Sequence, residues 1–264
     1  MRLATGIAFA AFTLLGIGSA VAQVANLSLN DGNVGSLGSN KPGELVLPVA
    51  ATPPYAAVVV LHGCNGVSAH VRDLARRLAG WGYAALVVDS FRPRGFDNVC
   101  NRGGMLPADQ RAADVFAGAA YLRGREDIDP DRIGAIGISH GGWTVLFAAT
   151  ARIVAKAEGP PLRAIIAYYP WCPGFAPKLV TDLQIFIGDR DDWTPSARCV
   201  DFVAKYPDTA SHRPLLKVYR GAYHSFDAAL PDRIYFGHHL APDPSAAQDS
   251  LELTSKFLDA RLRN

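Results

Sequence analysis

Short apolar runs alternate along the chain with segments of helical composition. Runs typical of buried strands are at 56–61, 83–88, 133–136, 162–168, 183–187 and 215–219, with a further strand expected at 44–47 and a short edge strand at 24–29. Continuous apolar runs bounded by turns are typical of strands buried on both faces of a parallel sheet. Because strands and helices alternate, the pattern predicts an α/β fold with a doubly wound, mostly parallel sheet and helices on both faces.

The segments between these runs predict the helices and loops. Helices are expected at 68–78, 107–122, 142–157, 196–205 and 245–262, and long loops at 90–105 and 227–244. Ser68 is a favourable N-cap, and Pro107 starts a helix where its missing N–H costs nothing. A turn is expected at 128–132, leading into the strand at 133–136.

The N-terminus has the three parts of an export signal. Arg2 is a small basic region, residues 3–18 are apolar, and Ala20-Val21-Ala22 fits a small-residue cleavage site. We expect removal of the signal peptide at 1–22, then a flexible segment at 23–43 and one α/β domain at 44–264. The alternative is a retained membrane anchor, against which the shortness of the apolar run argues. Export predicts a periplasmic or secreted protein.

Composition and charge exclude several classes of partner. The net charge is +2 over 264 residues, so no basic footprint for nucleic acid is present. Charge blocks and Cys/His metal spacings are also absent from the sequence, and we expect neither a metal nor a cofactor. The four cysteines, an even number, fit two disulfides in an oxidising compartment.

One pentapeptide carries the strongest chemical signal. Gly137-Ile138-Ser139-His140-Gly141 lies between a predicted strand and a predicted helix, which is the arrangement of a nucleophile elbow. Glycines two positions before and after the serine permit the sharp, strained turn. The Ser139 hydroxyl would then stand at the end of the sheet, beside a helix N-terminus suited to an oxyanion.

A serine nucleophile needs a base and an acid that orients the base. Proteins with this elbow carry them in the order Ser, acid, His, and groups at the carboxyl ends of parallel strands meet. Asp189, Asp191 and Asp192 all follow the strand at 183–187. We assign the acid to Asp191, because Asp189 lies close to the strand end and Asp192 adjoins a turn. A loop-capping or solvated carboxylate is the alternative for each.

The base and the oxyanion donors follow from the same placement. His224 comes after the last strand and is the one of seven histidines that satisfies both position and order; a core or surface histidine is the alternative. An oxyanion hole needs two backbone donors. We expect them at His140, directly after the nucleophile, and at Cys64, where Gly63 lets the backbone face a ligand. A simple glycine-rich turn is the alternative for Cys64.

These motifs resemble the dienelactone hydrolase family of α/β-hydrolases, especially its exported or serine-bearing members. The similarity covers about residues 44–262 and rests on HGCNG at 62–66, VDSFRPRG at 88–95, DRIG at 131–134 leading to GISHGG at 137–142, GDRDDWTP at 188–195 and YHSFD at 223–227. The resemblance implies Ser139, Asp191 and His224 as the triad. Ser139 replaces the cysteine of founding members, which favours ordinary esterase behaviour over the eponymous lactone substrate.

In such a fold the cysteines follow neighbouring strands in two pairs. We therefore expect Cys64–Cys100 and Cys172–Cys199 among the three possible pairings, with free buried thiols as the alternative. None of the four lies in an elbow, so a cysteine nucleophile is rejected. Aromatic walls with an arginine would suit an acyl or aromatic substrate bearing a carboxylate. The loop residues considered for this role are Arg92, Arg94, Trp143, Trp171, Trp193 and Tyr223, the arginines alternatively pairing with loop acids.

The leading prediction is an exported serine hydrolase that cleaves a small-molecule ester or lactone through an acyl-enzyme. It would have no nucleic-acid partner and no stable membrane span after signal cleavage. One alternative is a peptidase or amidase with the same triad, although no propeller or large lid marks the chain. The other is a non-catalytic binding protein on a hydrolase scaffold, against which an intact Ser, Asp and His in the correct order argues.

Overall fold

The computed structural model describes residues 22–27, 41–157 and 159–263. The strands in these ranges are β1 Ala22–Leu27, β2 Lys41–Val46, β3 Tyr55–Leu61, β4 Ala84–Val88, β5 Ile128–Ile138, β6 Ala164–Tyr168, β7 Leu183–Gly188, β8 Leu215–Tyr219, β9 Arg233–Tyr235 and β10 His238–Leu240. The α-helices are α1 Ala69–Gly80, α2 Ala108–Arg123, α3 His140–Ala148, α4 Ala151–Lys156, α5 Ser196–Ala204 and α6 Pro244–Leu262.

Eight of these strands form one twisted sheet in the order β1-β2-β4-β3-β5-β6-β7-β8. β1 pairs antiparallel with β2 and β2 antiparallel with β4, whereas all pairings from β4 to β8 are parallel. Strands β4, β6 and β7 are buried along their whole length, as their continuous apolar runs predict. This mostly parallel sheet with packed helices is an α/β-hydrolase fold, and the predicted fold class is confirmed.

Parallel strands bring their carboxyl ends to one edge of the sheet, and the loops after β3, β5, β7 and β8 leave from that edge. Residues 62–66, 139–141, 189–195 and 220–227 occupy those loops or the helix starts that follow them. The fold therefore brings four separated motifs to one end of the molecule.

Two local predictions were wrong and a third was right only in part. The expected turn at 128–132 lies within β5 as an irregularity of the strand: Tyr55 pairs with Ile128 and Ala57 with Ile133, and the register shifts between the two pairs. The single helix expected at 142–157 is two helices, α3 and α4. The chain breaks between them because the Thr150 hydroxyl donates to the Phe147 carbonyl at 2.7 Å and the Thr150 backbone bridges to Leu179. The loop expected at 227–244 contains the hairpin β9–β10.

The N-terminal predictions fall largely on residues 1–21 and 28–40, outside the described residues. The expected edge strand is present as β1, two residues earlier than predicted. In the described ranges, no helix has both the length and the apolar character that a membrane crossing requires.

Candidate active site

Ser139 stands on a strained turn between β5 and α3. Its φ of 55° and ψ of −114° lie in a region that side-chain-bearing residues rarely adopt. The Ser139 N–H donates to the Tyr168 carbonyl at 2.9 Å. A Cβ added to Gly137 would lie 2.1 Å from the Gly141 carbonyl oxygen, and one on Gly141 would lie 2.4 Å from the Leu61 oxygen. Glycine is therefore required at both flanking positions.

His224 reaches this serine from the loop after β8. Its Nε2 is 3.0 Å from Ser139 Oγ, and its Nδ1 is 2.7 Å from Asp191 Oδ2. All but 2% of the His224 side chain is shielded from solvent, and the Asp191 side chain is fully buried. The structure thus brings together the three residues assigned from the sequence.

Asp191 is held in place by the turn that follows it. Its Oδ1 accepts the backbone N–H groups of Trp193 at 3.0 Å and Thr194 at 2.8 Å. The Thr194 hydroxyl lies 2.8 Å from Asp191 Oδ2 and 3.0 Å from the Tyr169 carbonyl oxygen. These contacts fix the carboxylate with one oxygen facing His224.

The neighbouring aspartates, Asp189 and Asp192, bind backbone N–H groups of other loops. Asp189 Oδ1 accepts the Gly221 N–H at 2.7 Å, which anchors the loop that carries His224. Asp192 accepts the His239 N–H at 3.1 Å and so fastens the β9–β10 hairpin to the same turn. Only the middle carboxylate of the three contacts the imidazole, and this is the one assigned as the acid.

Aromatic rings flank the His224 imidazole. The Tyr169 ring packs edge-on with centroids 4.6 Å apart, and the Trp193 ring lies 5.2 Å away. Sequence reasoning placed Trp193 near the site but missed Tyr169, which follows β6 at a φ of 35°. The two rings restrict how far the imidazole can swing.

The expected oxyanion donors lie beside the serine. His140 is the first residue of α3, and a Cβ on Gly63, the neighbour of Cys64, would lie 3.6 Å from Ser139 Cβ. Neither the Cys64 nor the His140 N–H meets an acceptor among the described residues. Both donors are therefore free to bind a ligand.

The side chains of His62 and His140 point away from this opening and meet Arg111, a fully buried residue of α2. Arg111 Nη1 is 2.9 Å from His140 Nδ1, and Arg111 Nη2 donates to the His62 carbonyl at 2.9 Å. Burial first, and then the nearby guanidinium, lowers the pKa of His140 to about 4 and holds the pKa of His62 well below its usual value. Both rings are neutral at pH 7.

A cavity of about 210 Å³ opens onto Ser139 and His224. Its wall includes the aromatic side chains Tyr169, Trp193 and Tyr235 and the basic side chains His70 and Arg233. Sequence reasoning missed three of these residues as parts of the site: His70, which lies in the helix predicted at 68–78, and Arg233 and Tyr235, which lie on the unpredicted hairpin. A larger cleft of about 690 Å³ at the opposite end of β5 and β6 contains none of the assigned residues.

His70 belongs to a buried polar cluster at the cavity wall. Its Nε2 is 3.2 Å from Asp227 Oδ2, and the Tyr169 hydroxyl donates to Asp227 Oδ1 at 2.8 Å. Burial opposes charge on both members of the pair. Their mutual attraction outweighs it, raising the pKa of His70 and lowering that of Asp227. The cavity wall therefore carries a histidine whose protonated form is stabilised by Asp227.

The other loop residues considered from the sequence have separate partners. Arg94 forms a buried ion pair with Asp114 at 2.8 Å. Arg92 lies 3.7 Å from Asp89. The remaining contacts are Arg198 over the Trp171 ring, His239 against Tyr223, and His140 against Trp143. Of the six residues, only Trp193 lines the cavity.

Two disulfides staple the loops of this end. Cys64 is bonded to Cys100, which ties the oxyanion turn to the segment after β4, and Cys172 is bonded to Cys199 in α5. These are the pairings expected from the sequence, and the described residues contain no free cysteine. Two disulfides are compatible with an exported protein.

Comparison with known proteins places this geometry in a family. The sequence pattern of the dienelactone hydrolase family matches residues 42–262. A probable 2-oxo-3-(5-oxofuran-2-ylidene)propanoate lactonase of Bradyrhizobium sp. is 26% identical over 245 residues, covering 86% of this chain and 92% of that protein. A putative carboxymethylenebutenolidase of Synechocystis sp. is 28% identical over 178 residues, covering 59% of this chain and 69% of that protein.

A solved structure has the same fold. The putative dienelactone hydrolase of Klebsiella pneumoniae superposes with a TM-score of 0.67 at 22% identity, covering 90% of this chain and 98% of that one. Fold, sequence pattern and relatives agree with the resemblance seen in the motifs. The chain belongs to the dienelactone hydrolase family and is a hydrolase of this lactone- and ester-cleaving kind.

Proposed function

We propose that this hydrolase cleaves carboxylic esters or lactones with Ser139 as nucleophile, His224 as general base and Asp191 as the residue that orients the base. One observation carries the proposal: His224 lies within hydrogen-bond distance of both other residues, at 3.0 Å from Ser139 Oγ and 2.7 Å from Asp191 Oδ2. Such a relay of two hydrogen bonds, from serine to histidine to carboxylate, activates an otherwise weak hydroxyl nucleophile.

The proposed reaction has two halves. Asp191 holds the proton of His224 on Nδ1, so Nε2 accepts the Ser139 proton as Oγ attacks the carbonyl carbon. The tetrahedral oxyanion is bound by the Cys64 and His140 N–H groups, and its collapse expels the alcohol with the proton from Nε2. A water, deprotonated by the same Nε2, then releases the acid from Ser139. Every proton stays on His224 or the reactants, so the route uses no metal or cofactor.

The cavity supports a small substrate with an acidic group. Its volume of about 210 Å³ lies below the usual range for drug-sized ligands. His70 and Arg233 line it, and the described lining residues include no carboxylate. Aromatic walls next to basic groups suit a flat, unsaturated acid such as the propanoate lactone in the name of the Bradyrhizobium relative.

A fluorophosphonate probe tests the nucleophile. We expect wild type to be labelled at Ser139 and Ser139→Ala to be unlabelled and inactive. Comparison of p-nitrophenyl esters with peptide p-nitroanilides then separates an esterase from a peptidase or amidase, and we expect turnover of the esters only. Equal labelling of Ser139→Ala, or absence of labelling in wild type, contradicts the proposal.

We also propose that residues 1–22 are an export signal and that the mature protein is a single domain, periplasmic or secreted. The support is the small-residue cleavage site in the sequence and the two disulfides. Mass spectrometry of the exported protein is expected to find Gln23 as the first residue. Recovery of Met1 or Arg2 in that protein contradicts cleavage.

A further inference from the structure

A buried arginine joins the two turns that carry the proposed oxyanion donors. Arg111 is fully buried, and within the described part of the chain none of its hydrogen bonds goes to a carboxylate. One guanidinium nitrogen donates to the carbonyl of His62, two residues before Cys64, and the other donates to the ring of His140. A buried cation without a bonded anion is expensive, so its position calls for an explanation.

The tautomers of the two histidines follow from their partners. The Ser90 N–H donates to His62 Nε2 at 3.1 Å, so Nε2 is the acceptor and Nδ1 carries the hydrogen. That Nδ1–H faces the Gly63 carbonyl oxygen at 2.8 Å. Because Arg111 can only donate, His140 Nδ1 is an acceptor, and its Nε2–H donates to the Gly103 carbonyl at 3.0 Å.

These hydrogen bonds position the two residues, Cys64 and His140, whose N–H groups are the proposed oxyanion donors. The Gly63 carbonyl belongs to the same peptide group as the Cys64 N–H, so a hydrogen bond to this oxygen orients and polarises that donor. The second donor is the backbone of His140, whose ring Arg111 and Gly103 hold from two sides. Arg111 therefore contacts both turns from behind.

We propose that Arg111 is a positioning residue of the oxyanion hole, which holds the Cys64 and His140 N–H groups at the separation that the tetrahedral intermediate requires. The inference rests on the proposed serine mechanism. It gives the buried guanidinium a role that an apolar residue of similar size could not fill. The hydrogen bonds of Arg111 reach the His62 carbonyl and the His140 ring, and none reaches Ser139 or His224, so Arg111 acts through His62 and His140. Arg111 Nη2 also lies 3.2 Å from His62 Nδ1, but that nitrogen carries a hydrogen, so this contact is not a hydrogen bond.

The test compares Arg111→Met with wild type in three measurements on the whole protein. Since loss of one oxyanion donor lowers kcat by roughly 100-fold or more, we expect Arg111→Met to lower kcat about 100-fold with KM little changed. The affinity for a boronic acid that forms a tetrahedral adduct on Ser139 should fall by a similar factor. The affinity for the product carboxylic acid, which makes no tetrahedral adduct, should stay near the wild-type value.

Arg72→Met is the matched control. Arg72 lies on α1, directly after the Cys64 turn, and binds Glu44 through two nitrogens. Loss of this outlying pair should leave kcat and boronate affinity unchanged in the folded protein. Circular dichroism and a thermal melt establish folding of each variant. If Arg111→Met does not fold, Arg111→Lys decides, because an ammonium cannot span both partners, and a kcat about tenfold lower is expected.

Folded Arg111→Met with wild-type kcat and boronate affinity overturns the proposal, as does wild-type kcat in Arg111→Lys when the methionine variant is unfolded. Equal losses of boronate and product binding also overturn it, because they indicate a general disturbance of the cavity. Failure of the serine mechanism gives a different result: wild type itself would show no adduct on Ser139 with the boronate.

Discussion

His224 and His140 both border Ser139, yet partners of opposite charge hold them. His224 donates Nδ1–H to the Asp191 carboxylate, whereas His140 Nδ1 accepts from the Arg111 guanidinium. In the proposed mechanism the carboxylate stabilises the imidazolium that forms when Nε2 takes the serine proton. Burial, and then the guanidinium, oppose protonation of His140 and lower its pKa to about 4. In the proposed mechanism the same side chain is thus a proton carrier on one side of the serine and a fixed support on the other.

Removal of the Asp191 carboxylate, which holds His224, should cause the largest loss of activity. Asp191→Asn is expected to lower kcat about 10⁴-fold, because the amide favours the wrong His224 tautomer. Asp192→Asn is the matched control: it changes the adjacent carboxylate, which binds the hairpin rather than the imidazole. We expect this variant to keep kcat within a few-fold of wild type. Equal losses of kcat in the two variants would show that Asp191 is not the acid.

A side chain in place of Gly137 should destabilise the turn that holds Ser139. Gly137→Ala places a methyl group 2.1 Å from the Gly141 carbonyl oxygen, so we expect a loss of about 3 kcal/mol in the free energy of unfolding, the upper end of the usual cost of overpacking. Gly174→Ala is the control, since nothing lies within 4 Å of its added Cβ. Urea denaturation measures both. A Gly137→Ala variant as stable as Gly174→Ala would contradict the elbow geometry.

The free energy of unfolding should decrease at acid pH, because the folded chain holds His140 in its neutral form. In the unfolded chain His140 takes up a proton near pH 6.5, but the folded chain resists uptake until about pH 4. Stability therefore falls as pH drops through this window, by about 3 kcal/mol from His140 alone. His70, with a raised pKa, contributes stability that is complete below pH 6.5 and is lost at higher pH, so it does not mask the effect.

Comparison of wild type with His140→Gln isolates that contribution. The variant should lose less unfolding free energy between pH 6.5 and pH 4, by about 3 kcal/mol, measured by urea denaturation at each pH. Glutamine keeps an oxygen acceptor for Arg111 but does not titrate. Identical pH slopes in the two proteins would mean that His140 is not held neutral.

The smallest effect is expected at Ser90. Its backbone N–H binds His62, but its buried hydroxyl has no partner among the described residues. Ser90→Ala should leave kcat unchanged and raise the free energy of unfolding by about 1 kcal/mol, because it removes an unsatisfied polar group. A fall in kcat would show that the hydroxyl, rather than the backbone, supports the oxyanion side.

Local patterns in the sequence predicted Ser139, Asp191 and His224, but they did not predict Arg111 or its contacts with two histidines. The elbow glycines, the aspartate after β7 and the histidine after β8 are tied to strand ends, which continuous apolar runs reveal. Arg111 and His70 lie on helices, and their partners come from distant segments. A single buried charge within a helix has no sequence pattern that distinguishes it from an exposed one.

The hairpin and the helix break had equally weak signals. Strands β9 and β10 are three residues long and partly exposed, so they show no apolar run. The two-residue hairpin turn places Phe236 at a φ of 51° and Gly237 at a φ of 84°. The glycine suits such a turn, but a phenylalanine before it does not form the asparagine–glycine or aspartate–glycine pair that marks a hairpin in a sequence. At Thr150, a hydroxyl bond to the preceding turn ends α3 without any glycine or proline. Tertiary contacts decided each of these elements.

The most direct measurement of the central claim is the capture of the acyl-enzyme. Wild type mixed with p-nitrophenyl acetate, quenched in acid within the first turnovers and digested, should yield an acetylated peptide modified at Ser139. Asp191→Asn should form the same adduct far more slowly, and Ser139→Ala should form none. An active wild type with no adduct, with an adduct on another residue, or with undiminished turnover after Ser139→Ala would contradict the account.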